Sequence, residues 1–183
     1  MSAAGLCAVA ALLTAFAAAV AGKLRSARAF TDFAGALGQF GVPRAARRLV
    51  AALVVLAELA VIGTLLAPIS APLARLGPAV AVLTGFSVAL AAAGARHPDL
   101  ACHCFGGDGR TRVGPHLTGN ALLIVIGVAG IAAGSAGALA AGTSVLAIGL
   151  GVIAGSLVVC AVPVLEAIGP QRMRPSAAGA RRG

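Results

Sequence analysis

The side chains best suited to chemistry are concentrated in one short segment. All three histidines, His97, His103 and His116, lie there together with two of the four cysteines, Cys102 and Cys104. A Cys-x-Cys pair can close a small disulfide ring only with strain, and strained, accessible disulfides exchange readily with other thiols. His103 between the cysteines favours the thiolate form. The segment is therefore chemically suited to a dithiol–disulfide centre at Cys102 and Cys104, with His103 activating the thiols.

A metal site is the alternative interpretation of the same segment. Cys102 and Cys104, with His97 and His116, are suitable ligand types for zinc or copper(I). Structural zinc sites usually separate paired cysteines by about two to four residues, whereas one residue separates this pair. On spacing alone, a redox role, a metal role and no role all remain open.

The composition is typical of an integral membrane protein. Sixty per cent of the residues are hydrophobic and 10% are charged, whereas soluble domains carry about 25% charged residues. The mean hydropathy is +1.01. The net charge of +9 is concentrated in short stretches between apolar runs, as in segments that anchor a protein at a membrane surface. We therefore expect no nucleic-acid partner.

The apolar runs predict an all-α polytopic transmembrane bundle. A membrane-spanning helix needs about 20 predominantly apolar residues, and the last uncharged run is long enough for two such helices, with a turn at Ala141–Ser144. Four spans, with the last part lying on the membrane, are the alternative. The favoured prediction is a single membrane domain, 1–170, with a basic disordered tail at 171–183 and five spans at 3–22, 49–67, 77–95, 119–141 and 143–165.

Basic residues predict the orientation of this bundle. They are frequent in the first loop and in the tail, which the positive-inside rule assigns to the cytoplasm. The N-terminus is then outside and the C-terminus cytoplasmic. By parity, the loop Arg96–Gly119, which carries the Cys-x-Cys pair, also faces the cytoplasm.

Polar residues within the apolar runs are further candidates. Glu58 lies near the middle of the second span, where a carboxylate is costly and is usually paired or functional. Asn120 is a candidate partner for Glu58. We expect Lys23 to extend towards the membrane interface. Cys7 and Cys160 lie inside spans, so we expect both to be buried and inert.

These motifs together resemble the methylamine-utilisation protein E (MauE) family of the DoxX-like group. The most specific segment is Cys102-His-Cys104-Phe-Gly, followed by Asn120-Ala-Leu-Leu. Three further segments agree: Gly22-Lys-Leu, Phe40-Gly-Val-Pro and Glu58-Leu. Gly119 departs from the pattern, because an arginine commonly precedes the asparagine in the family.

The resemblance implies a membrane protein that supports maturation of the disulfide-rich small (beta) subunit of methylamine dehydrogenase. A thioredoxin-like protein would be the partner, and Cys102 and Cys104 would be the redox pair. Disulfide formation normally occurs outside the cytoplasm, so this implication conflicts with the predicted orientation of the loop.

Three functions therefore follow as hypotheses. The first is a thiol–disulfide exchange protein acting on a disulfide-bearing client. The second is a metal-binding or transport protein that uses the Cys/His loop, and the third is a non-catalytic membrane scaffold. The sequence contains no nucleotide-binding loop, dinucleotide fingerprint or paired-carboxylate motif. We expect no bound cofactor, and nothing in the sequence indicates a quinone or haem site.

Overall fold

The computed structural model describes residues 2–96, 113–134 and 141–168. Several predicted features lie outside these residues: His97, Cys102, His103, Cys104 and the tail 171–183.

Within the described residues the fold is an all-α bundle, as predicted. Five helices are long and apolar enough to cross a membrane, which confirms the prediction of five spans. A sixth, shorter helix follows the first span. The helices are α1 (Ala3–Leu24), α2 (Ala27–Ala36), α3 (Arg47–Leu66), α4 (Pro72–Arg96), α5 (Val113–Ala132) and α6 (Ala141–Ile168).

Several helix ends differ from the predicted boundaries, mainly next to prolines. Helix α4 begins at Pro72 rather than at 77, because proline is well tolerated in the first turn of a helix, where its missing amide hydrogen costs least. Pro78 consequently lies inside α4. Helix α5 begins at Val113 rather than at 119. The turn predicted at Ala141–Ser144 is instead the start of α6.

A short amphipathic segment was not predicted, and it covers one end of the bundle. Ser26 caps α2 by accepting a hydrogen bond from the amide of Ala29 at 3.0 Å. Phe33 and Ala34 of α2 are buried against Ala51 of α3. A 3₁₀ helix, Leu37–Phe40, follows and ends at Gly41, whose φ of 83° is a left-handed conformation that favours glycine. This turn directs the chain back into α3.

Helix α1 is the central element of the bundle, because it packs against α3, α5 and α6. Its buried side chains Leu12 and Phe16 form a common core with Leu65 of α3, Leu76 of α4 and Leu123 of α5. Many large apolar side chains of α3 and α6 are exposed instead. In a membrane helix such a surface faces lipid, which is as apolar as the side chains themselves.

Glycines allow α6 to approach α1 closely. A Cβ added at Gly155 would lie 2.6 Å from the carbonyl oxygen of Ala11, and one at Gly151 would collide with the carbonyl of Cys7. Small residues four positions apart let helix backbones approach in this way. The Gly151–Gly155 pair therefore serves packing within one chain.

We predict that Gly155→Ala destabilises the bundle by about 1–3 kcal/mol, because the added methyl group must displace backbone of α1. The matched control is Gly149→Ala, since no atom lies within 4 Å of the Cβ position at Gly149. Both changes raise helix propensity equally. Reversible unfolding in detergent micelles measures the difference, and equal stability of the two variants would contradict this packing.

Candidate functional site

A buried ion pair links α1 to α3. Lys23 Nζ lies 2.7 Å from Glu58 Oε1, and the two side chains are only 3% and 2% exposed. Lys23 Nζ also lies 3.4 Å from the carbonyl oxygen of Ala19 and 5.2 Å from the ring centroid of Phe33, so the ammonium group has three sources of stabilisation. A charge in a membrane interior is tolerated only with such partners.

The position of Lys23 corrects two expectations. Lys23 was expected to extend towards the membrane interface, but its side chain runs back along α1 to the carbonyl of Ala19. Helical side chains point towards the N-terminus of their helix, and this direction takes the ammonium group into the bundle. Asn120 was considered as the partner of Glu58, but Lys23 has that role.

Asn120 instead links α5 to α4. Its Nδ2 atom donates a hydrogen bond of 3.2 Å to Ser87 Oγ. The Ser87 hydroxyl in turn donates to the carbonyl of Leu83 at 2.8 Å. Hydrogen bonds of this kind between membrane helices contribute about 0.6 kcal/mol on average, so the link helps to fix how α4 and α5 pack.

A cavity of about 270 Å³ adjoins the ion pair. It is lined by the C-terminal halves of α1 and α4, the N-terminal halves of α3 and α5, and the α2 segment with its 3₁₀ helix. The cavity therefore lies towards the end of the bundle from which the Cys-x-Cys loop leaves α4 and returns to α5. Four of the six phenylalanines of the chain line it: Phe16, Phe33, Phe40 and Phe86.

Polar groups occur at a few points of this otherwise apolar lining. They are Lys23, Glu58, His116 and Asn120. Glu58 Oε2 is buried and accepts no hydrogen bond from any residue that the structure describes. His116 is 4% exposed and lies among the same side chains. An apolar cavity with a few convergent polar groups is the usual form of a small-molecule site.

The structure describes some of the predicted site residues and not others. Four of them lie outside the described residues: His97, Cys102, His103 and Cys104. The redox pair and the alternative metal site therefore remain predictions. The part of the chain that is described contains no group of three or more metal-ligating side chains. Cys7 is half-buried, and Cys160 is exposed rather than buried as expected.

The sequence model of one known family matches most of the chain. The family is described as Methylamine utilisation protein MauE, and its model matches residues 1–134. The chain belongs to this family. With five helices able to span a bilayer, this member of the MauE family is a multi-pass membrane protein. No curated protein and no solved structure matches the chain.

The segments that resemble the MauE family converge on the cavity. Lys23 belongs to the Gly-Lys-Leu segment, and Phe40 and Val42 belong to the Phe-Gly-Val-Pro segment. Glu58 and Asn120 belong to the other two described segments. All five residues line the cavity. The remaining segment, Cys-x-Cys-Phe-Gly, joins the two helices that carry Phe86 and His116. The motifs are far apart in sequence, but the helices bring the described ones together.

The roles of Lys23 and of the phenylalanines were not predicted from the sequence. The signal for Lys23 was its position near the end of one span, followed by a carboxylate inside the next span. Opposite charges in neighbouring antiparallel helices pair readily when one side chain is long enough to reach inward. The phenylalanines gave no comparable signal, because apolar side chains are ordinary within a membrane span.

We predict that Lys23→Met alone lowers the free energy of unfolding by about 3–5 kcal/mol, because it leaves the carboxylate of Glu58 buried without its partner. The double variant Lys23→Met/Glu58→Leu should lose much less, since both charges are then absent. Asp32→Asn is the control, because the Arg28–Asp32 pair is solvent-exposed and such pairs contribute little. Unfolding in detergent micelles tests this, and additive losses in the double variant would contradict a coupled pair.

Proposed function

We propose that this protein is a membrane thiol–disulfide exchange protein that supports maturation of a disulfide-bearing client in methylamine utilisation. Cys102 and Cys104 form the exchanging pair, and His103 favours their thiolate state. A thioredoxin-like protein is the proposed exchange partner, and the small subunit of methylamine dehydrogenase is the proposed client. The observation that carries the proposal is the convergence of the family's motifs on the end of the bundle where the Cys-x-Cys loop begins and ends.

The chemistry of the loop supports this function over the two alternatives. A pure scaffold has no need for two thiols one residue apart. A metal site would need ligands beyond the pair, but the one described histidine of the candidate set, His116, lies inside the cavity among the phenylalanines. A dithiol needs only an exchange partner and an electron acceptor or donor.

The orientation remains a proposal that rests on charge. We propose that the α2 segment and the Cys-x-Cys loop face the cytoplasm, because the bundle end that carries them is rich in arginine. Arg25, Arg28, Arg44 and Arg48 are exposed at this end. Lys23 is not one of the basic residues exposed at this end, since it is buried in the ion pair. Because disulfides do not normally form in the cytoplasm, the pair in this orientation relays electrons between the thioredoxin-like partner and the membrane and does not exchange directly with the client.

We predict that Cys102→Ser or Cys104→Ser abolishes maturation of the client, because a single thiol cannot form the intramolecular disulfide. The controls are Cys7→Ser and Cys160→Ser, which alter cysteines within α1 and α6. The measurement is accumulation of the disulfide-bonded small subunit in cells grown with methylamine. Normal accumulation in both loop variants, with the variant proteins present in the membrane, would overturn the proposed function.

A further inference from the structure

The cavity beside the ion pair has properties that select for a particular kind of small molecule. Its volume is about 270 Å³, and an engineered apolar cavity of about 150 Å³ is sufficient to bind benzene. The cavity therefore accommodates one substituted six-membered ring. Phe16, Phe33, Phe40 and Phe86 supply aromatic surface for such a ring.

Lys23 and Glu58 define the polar groups that the ligand must carry. The two charges cancel, so the site favours a neutral molecule over an anion or a cation. A lysine ammonium has three N–H donors, and two of its contacts are with Glu58 and Ala19. Glu58 Oε2 is a buried acceptor that receives no hydrogen bond from the described residues. A ligand oxygen that is a carbonyl in one state accepts a hydrogen bond from the Lys23 ammonium group. If that oxygen is a hydroxyl in the other state, it donates a hydrogen bond to Glu58 Oε2.

One residue of the cavity lining is exposed at the side of the bundle. Ala89 lines the cavity and is also exposed at the surface of α4. Because α4 is one of the helices able to cross the membrane, this exposed lining position points to an opening of the cavity towards the bilayer. A ligand that enters there is dissolved in lipid and can leave an apolar tail among the acyl chains.

We propose that this cavity binds the ring of a membrane quinone. Lys23 donates a hydrogen bond to a quinone oxygen, and Glu58 Oε2 accepts one from the quinol hydroxyl. This inference rests on the proposed function for its redox step. In that step the two thiols of Cys102 and Cys104 lose two protons and two electrons and form one S–S bond. The quinone gains both protons and both electrons and becomes the quinol.

The first test measures binding alone. The probe is a benzoquinone that carries a short alkyl tail and an azido group for photolabelling of the purified full-length protein. Ala89→Phe fills the opening, so we expect half-maximal labelling to need about tenfold more probe. The control Ala91→Phe places the same side chain on an exposed position of α4 that does not line the cavity, and it should label like the unaltered protein.

Two outcomes would overturn the binding site. One is equal labelling of the Ala89→Phe and Ala91→Phe variants, provided that thermal unfolding in detergent shows both variants to be folded. The other is a saturated alcohol with the same alkyl tail that competes with the probe as effectively as unlabelled quinone does. The cavity would then be a site for lipid chains. Saturable labelling of peptides from α1 and α3, lost on competition with unlabelled quinone, supports the proposal.

A second measurement separates this inference from the proposed function. The double variant Cys102→Ser/Cys104→Ser should bind the quinone as tightly as the unaltered protein, because it leaves Lys23, Glu58 and the cavity phenylalanines unchanged. The reduced unaltered protein should convert one quinone to quinol for each disulfide formed, in the absence of oxygen. Binding without this conversion would reject the thiol chemistry and keep the site, whereas conversion without saturable binding would reject the site.

Discussion

The ion pair between Lys23 and Glu58 is the interaction on which the rest of this structure depends. A carboxylate and an ammonium group are costly to bury in a bilayer unless each stabilises the other. Their contact of 2.7 Å therefore fixes the distance and rotation of α3 relative to α1. Because Phe33 lies over the same ammonium group, the pair also fixes the amphipathic segment that joins the two helices.

The cavity follows from this arrangement. Helix α1 packs tightly against α6, where Gly151 and Gly155 bring the backbones together. At the other side, the ion pair and large phenylalanine side chains hold α1, α3 and α4 around a space instead. Asn120 and Ser87 keep α5 against α4 at the same level. The helices that enclose the cavity are thus joined by polar contacts, whereas the glycine-rich interface needs none. The closely packed interface of α1 and α6 is thus separate from the part of the bundle proposed to bind a ligand.

Much of the fold was predictable from the sequence, because the length of a membrane span is a local property of the chain. Hydropathy alone gave five spans, and the cost of burying charge singled out Glu58. The partner of Glu58 was not predictable in the same way, since it depends on which helices are neighbours and on the inward direction of the Lys23 side chain. The start of α4 at Pro72 was predicted too late in the chain, because proline is compatible with either the end or the start of a helix. The cavity depends on the packing of five elements and has no local signature.

The central claim is that Cys102 and Cys104 alternate between dithiol and disulfide, and their redox state in intact cells tests it most directly. Cells are treated with a membrane-permeant or a membrane-impermeant thiol reagent, before and after reduction, and labelled peptides are quantified by mass spectrometry. The account predicts that the permeant reagent labels both cysteines only in part before reduction and fully after it. It also predicts that the impermeant reagent labels them only once the membrane is opened. Full labelling of both cysteines without reduction, in every growth condition, would contradict the account.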